Sequence, residues 1–140
     1  MPPLIAIATT PMKVMIVDDN AEIRQLIRTV LSGIATDFVE CSDGKEAVLA
    51  FPTERPDWAV MDVAMRGMDG LTATREITSR FPGSHIIVVT QHHNPKLRKR
   101  AQDAGADAFL LKDDLLELRG LLSVESPARE TEKGKFPPDP

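Results

Sequence analysis

The 140 residues carry 42% apolar and 27% charged side chains, which suits one globular domain with a single core and leaves too little for two of ordinary size. The formal charge of −4 argues against direct nucleic-acid binding as the main activity, and no apolar stretch approaches the roughly 20 residues of a membrane span. Cys41 is the only cysteine, which excludes an intrachain disulfide and a cysteine-based zinc site.

The apolar start, Met1 to Pro11, lacks the basic leading segment of a signal peptide. Residues 1–12 are therefore expected to form a disordered arm, and the chain to reside in the cytoplasm. Five strand candidates then alternate with five helix candidates, the pattern of a parallel α/β sheet. Val14-Met-Ile-Val17 reads as the first strand, and Asn20 caps a helix whose apolar face is Ile23, Leu26, Ile27, Val30 and Leu31, with Gly33 as its stop. Asp37-Phe-Val-Glu-Cys41 is the second strand, with Cys41 a small buried thiol. Asp43, with Glu46 three residues on, predicts a capping box for the second helix, which turns Ala47, Val48 and Phe51 inward.

Trp58-Ala-Val-Met61 is the third strand. Asp69-Gly70 supplies turn and cap chemistry for the third helix, glycine being chosen for its tolerance of unusual backbone angles, and Pro82-Gly83 follows that helix. Ile86-Ile-Val-Val89 is the fourth strand. Asn94-Pro95 opens a fourth helix, made basic by Lys96, Arg98, Lys99 and Arg100, and Gly105 ends it. Ala108-Phe-Leu-Leu111 is the fifth strand. A last helix spans about Asp114 to Leu122, with Leu115, Leu118, Leu121 and Leu122 facing the core. From residue 123 to 140 the pattern fails in a polar, proline-bearing segment, which reads as a disordered tail or a truncated linker.

These elements predict a flavodoxin-like (βα)5 three-layer sandwich with a parallel sheet of order 2-1-3-4-5. Asp18-Asp19, Asp62, Thr90 and Lys112 each follow a strand, and in a parallel sheet those ends share one edge, where ligands bind at the reversal of strand order. Three carboxylates in one crevice repel one another unless a cation neutralises them. Magnesium, or manganese in its place, suits such oxygen ligands. A carboxylate can also attack phosphorus, with an ammonium and a hydroxyl stabilising the transferred group, so the pattern describes a phosphoryl acceptor.

Val17-Asp-Asp19, Met61-Asp-Val-Ala-Met-Arg-Gly-Met-Asp-Gly70, Val89-Thr90 and Ala104-Gly-Ala-Asp-Ala-Phe-Leu-Leu-Lys112 together resemble the CheY-like receiver domain of bacterial two-component response regulators. The ordered set covers residues 13–122. The resemblance implies that Asp62 accepts a phosphoryl group from a histidine kinase or histidine phosphotransfer protein, and that slow self-dephosphorylation follows. It also implies magnesium on Asp18, Asp19, Asp62 and the carbonyl of Ala64. Thr90 and Lys112 would contact the phosphoryl group, with Thr90 and Phe109 as switch residues and Gln91 and His92 as modulators.

The resemblance further implies a downstream protein or fused output domain, and it allows a homodimer that forms on phosphorylation. Arg66 stands where the family commonly has proline, and Asp113 follows Lys112 where another proline is usual; a Lys-Asp pair looks more like receivers attached to helix-turn-helix transcription factors. Gln91 replaces a small residue, so a receiver-like scaffold that is never phosphorylated is the alternative. A phosphatase with an aspartyl-phosphate intermediate would want a second aspartate where Ala64 stands. The basic fourth helix is either a solvated face or a docking surface, and no metal is expected at His92-His93.

Overall fold

The computed structural model describes residues 11–92 and 94–123. In chain order these form β1 (Lys13–Val17), α1 (Ala21–Val30), β2 (Asp37–Cys41), α2 (Gly44–Glu54), β3 (Trp58–Asp62), α3 (Gly70–Arg80), β4 (Ile86–Thr90), α4 (Pro95–Asp103), β5 (Ala108–Leu111) and, after a 3-10 turn at Lys112–Asp114, α5 (Glu117–Leu122). The strands are all parallel, in the order β2-β1-β3-β4-β5. Both neighbours of β1 are thus reached by crossovers, and the reversal of direction falls between β1 and β3. Among the described helices, none is long and apolar enough to cross a membrane.

Successive side chains of a strand point to opposite faces, so each central strand feeds two cores. Met15, Val17, Met61 and Val88 pack with Ala47 and Phe51 of α2, Leu71 and Ile77 of α3, and Ala101 of α4. Val14, Ile16, Val60, Ile87 and Leu110 pack with Ile27 and Val30 of α1 and Leu118 and Leu122 of α5. β3 and β4 are buried along their whole length, which is why their sequences lack polar alternation. The sandwich has α1 and α5 on one side and α2, α3 and α4 on the other.

The helix starts follow the predicted caps. Asn20 Oδ1 accepts from the Glu22 and Ile23 amides, Asp43 Oδ1 from Glu46, Asp69 Oδ1 from Thr72 and Asn94 Oδ1 from Lys96. Each satisfies an amide that the first helical turn leaves without a partner. The Glu46 carboxylate reaches one residue further back than the expected box, accepting from the Ser42 amide at 2.8 Å. Gly105 follows α4 at φ +99 with Thr78 packed against it, so it both ends the helix and makes room.

Three expectations are corrected. Leu26 is 46% exposed, because it lies at the margin of the α1 stripe rather than at its centre. The last helix is split: Lys112 is fixed by its ion pairs and Leu115 by burial, and the residues between them wind into the tighter 3-10 turn. Gly70 is the first residue of α3, outside the positive-φ region, so backbone angle is not its reason. Its amide donates to Val63 O at 3.0 Å, and a Cβ there would run into the Asp62 carbonyl. Glycine stands at this position because α3 begins directly against the backbone of Asp62.

The expected arm and tail fall outside the described residues, except Pro11, Met12 and Ser123. Met12 O accepts from the Thr36 and Asp37 amides at 2.9 and 3.2 Å.

Gly70→Ala should lower stability by about 1–3 kcal/mol through forced displacement of packed backbone. Urea unfolding measures this, and a loss below a few tenths of a kcal/mol would show that the contact relaxes freely.

Candidate functional site

The carboxyl ends of β1, β3, β4 and β5 meet at one edge. Asp18 directly follows β1 and Asp62 is the last residue of β3, both buried, and Asp19 is exposed beside them. Their carboxylate oxygens lie within 4.8 Å of one another. Lys112, just past β5, sends its ammonium between two of them, at 3.0 Å from Asp18 Oδ2 and 3.3 Å from Asp62 Oδ1.

The position of Asp18 is over-determined. Its amide donates to Cys41 O at 3.1 Å, its Oδ1 accepts from the Asn20 amide at 2.9 Å, and its carbonyl accepts from Arg24 Nη1 at 2.6 Å. Gly70, whose amide donates to Val63 O, packs closely against the Asp62 backbone carbonyl.

Burial and the neighbouring Asp18 push the Asp62 carboxyl up to about 6, although Lys112 and its hydrogen bond pull the other way. Burial opposes the Lys112 charge, but its hydrogen bond to Asp18 and the charges of Asp62 and Asp18 outweigh that, so its net direction is up. The site therefore holds more negative charge than one ammonium neutralises. Its donor set is entirely oxygen, partly buried and partly open, which fits a hard divalent cation that keeps some of its water.

The remaining predicted residues occupy two zones. Thr90, buried at the end of β4, accepts from the His92 amide at 3.3 Å through Oγ1. Its neighbour in the sheet is Leu111, one residue before Lys112. Ala64 is exposed in the loop after β3, and Gln91 and His92 are exposed after β4. His93 lies outside the described residues. Phe109 is buried in the core beneath α2, α3 and α4, paired with Val88, and is not among the polar groups of the site. Arg66 faces Asp19, Asn20, Ala21 and Glu22 across an open cleft of about 690 Å³ beside the aspartates.

Sequence reasoning missed Arg24 and Glu40. Their charges lie among others on α1 and on the edge strand β2, and no spacing rule ties them to Asp18.

The family model of the response regulator receiver domain matches residues 14–122. The chain belongs to that family. Among curated receivers and their parent proteins, it is 34% identical over 122 residues to the response regulator MprA of Mycolicibacterium vanbaalenii, covering 84% of this chain and 53% of that protein. It is 36% identical over 100 residues to the chemotaxis protein CheY of Halobacterium salinarum, covering 71% of this chain and 83% of that protein. The signal receiver domain of the putative response regulator NarL from Mycobacterium tuberculosis superposes with a TM-score of 0.77 at 25% identity, covering 89% of this chain and 100% of that one. The chain spans about half the length of MprA. Receivers of this family generally bind magnesium at an acidic pocket, the feature that Asp18, Asp19 and Asp62 form here.

The raised Asp62 value has a stability consequence. Its folded-state value of about 6 exceeds the ordinary 3.8, so the stabilising contribution is full below about pH 4 and is lost as pH rises through about 6. In chelator at pH 7.5, Asp62→Asn should therefore stabilise the fold by on the order of 2 kcal/mol, raising Tm by several degrees. The gain should shrink towards pH 4. Thermal unfolding across that range checks it, and a Tm difference independent of pH would contradict the assignment.

Proposed function

We propose that this chain is a phosphorylation-controlled switch in which Asp62 accepts the phosphoryl group, over a functional domain of residues 13–122. The observation that carries this reading is the convergence of Asp18, Asp19 and Asp62 from β1 and β3 with Lys112 from β5.

An Asp62 carboxylate oxygen forms the new bond to phosphorus as the bond between phosphorus and the donor's leaving group breaks, and the leaving group departs with the electron pair. Lys112 is placed to meet the charge on the phosphoryl oxygens as a compact, mobile cation, exchanging part of its pairing with Asp62 for the incoming group. Thr90, whose Oγ1 accepts from the His92 amide, donates its hydroxyl to a phosphoryl oxygen once the group is attached. Asp18, Asp19, Asp62 and the carbonyl of Ala64 would hold magnesium or manganese. A cation bound there neutralises the crowded carboxylates and the charge that develops on the equatorial oxygens.

Phosphorylation exchanges one negative charge for roughly −1.5 to −2 and adds acceptor oxygens. Recruitment of Thr90 draws on the loop holding Gln91 and His92, which tune access and lifetime. Phe109, with no hydroxyl, responds through packing alone, beside Val88 of β4 and in the core that includes Ala101 of α4. A histidine kinase or histidine phosphotransfer protein in the cytoplasm is the donor. A downstream protein, an output domain of a longer regulator or a second copy of the chain reads the altered face.

Incubation with magnesium and acetyl phosphate should add one phosphoryl group by intact mass. Asp62→Asn or chelator should abolish the gain, and Lys112→Ala should slow it by 10-fold or more, towards the scale of one lost electrostatic donor (about 10²- to 10³-fold). Absence of any adduct with acetyl phosphate, phosphoramidate or a phosphorylated kinase would sink this function and leave the unphosphorylated scaffold.

A further inference from the structure

We propose that Arg24 is a positioning residue for the cation site, fixing the Asp18–Asp19 peptide from α1, with Glu40 of β2 fixing Arg24 in turn. The proposal rests on the reading of the three aspartates as a divalent-cation site.

Arg24 is 18% exposed and uses two sides of its guanidinium: Nη1 donates to Asp18 O at 2.6 Å, and Nε donates to Glu40 Oε1 at 2.8 Å. The other Glu40 oxygen accepts from Arg28 Nη1 at 3.1 Å, and Arg28 in turn lies over the Phe38 ring at 4.8 Å. The clamp thus runs from the edge strand through α1 to the carbonyl between the two acids. A rigid planar fork can serve both directions at once, which a lysine ammonium cannot do with the same geometry.

The need for such a clamp lies with Asp19. Asp18 has its own side-chain contacts to the Asn20 amide and Lys112, whereas among the described residues no group donates a hydrogen bond to the exposed Asp19 carboxylate. The direction of Asp19 depends on its main chain, and that main chain begins at the carbonyl held by Arg24.

Position and charge predict opposite signs. Removal of a cation beside three acids strengthens the local negative potential, so electrostatics alone would tighten magnesium binding. Loss of the clamp weakens it, and groups that orient metal ligands typically matter 10- to 100-fold.

The test is calorimetric titration of magnesium into the full chain, with thermal unfolding in chelator run beside it. Arg24→Ala should weaken magnesium affinity about 10-fold. Arg24→Lys, which keeps the charge, should weaken it by a smaller factor. Arg28→Ala, which removes the other cation on Glu40 and its contact with Phe38 but keeps the Arg24 bond to the Asp18 carbonyl, should leave it unchanged. At saturating magnesium, labelling of Arg24→Ala by acetyl phosphate should return towards the wild-type rate. Equal or tighter binding by Arg24→Ala overturns the clamp while leaving the cation site intact. If that variant loses cooperative unfolding, unchanged affinity in Arg24→Lys overturns it instead. Wild-type protein that takes up no magnesium overturns the cation site and the clamp together.

Discussion

Two buried carboxylates that share one ammonium, at 3.0 and 3.3 Å, set the terms on which the edge of this sheet can exist. Asp18 and Asp62 come from adjacent strands, and Lys112 arrives from β5, two strands beyond β3. Without that third participant the two acids would face each other in a largely dry crevice, where like charges are costly. The contact therefore links the order of the strands to the chemistry of the edge. Only a parallel sheet with β1 beside β3 and β5 within a side chain's length brings these groups together. The 3-10 turn after Lys112 belongs to the same constraint, because the chain must anchor a lysine in the site and a leucine in the core within three residues.

The residual charge matters as much as the pairing. Burial, and then the neighbouring Asp18, leave Asp62 easier to protonate than an ordinary carboxylate despite Lys112, and the surroundings are arranged around that imbalance. Arg24, Asn20 and Cys41 all engage Asp18, while Gly70 brings the start of α3 against the backbone of Asp62. The buried acids are braced by backbone and guanidinium contacts, and the exposed Asp19 carboxylate is directed through its main chain. Such an arrangement holds repelling groups in place without first neutralising them.

Much of this was legible in the sequence because the relevant physics is local or periodic. Continuous apolar runs such as Ile86 to Val89 mark strands covered on both faces, and a polar residue at the end of each run falls on one edge once the sheet is parallel. Caps at Asn20, Asp43, Asp69 and Asn94 act within a single turn, so spacing alone reveals them. What escaped depends on distances the sequence does not encode. Leu26 sits at the margin of its stripe, where exposure depends on how α1 is rolled against the sheet. Gly70 reads as a residue of backbone freedom, but its reason is the approach of the Asp62 carbonyl at the end of β3. Arg24 and Glu40 are ordinary surface charges in any linear reading; in the fold Arg24 reaches the Asp18 carbonyl from α1, and Glu40 reaches Arg24 once β2 lies beside β1.

Cys41 carries a consequence of a practical kind. Its carbonyl braces Asp18, but its thiol is buried, and burial together with nearby acids pushes it up to about 12. The reactive thiolate is thus almost unpopulated near neutrality, and access is closed as well. Alkylating probes should pass over the native sulfur, so a cysteine introduced on α4 or in the loop holding Gln91 would take up a fluorophore or spin label alone. The molecule supplies a silent background against which rearrangements of its outer surface can be watched one position at a time.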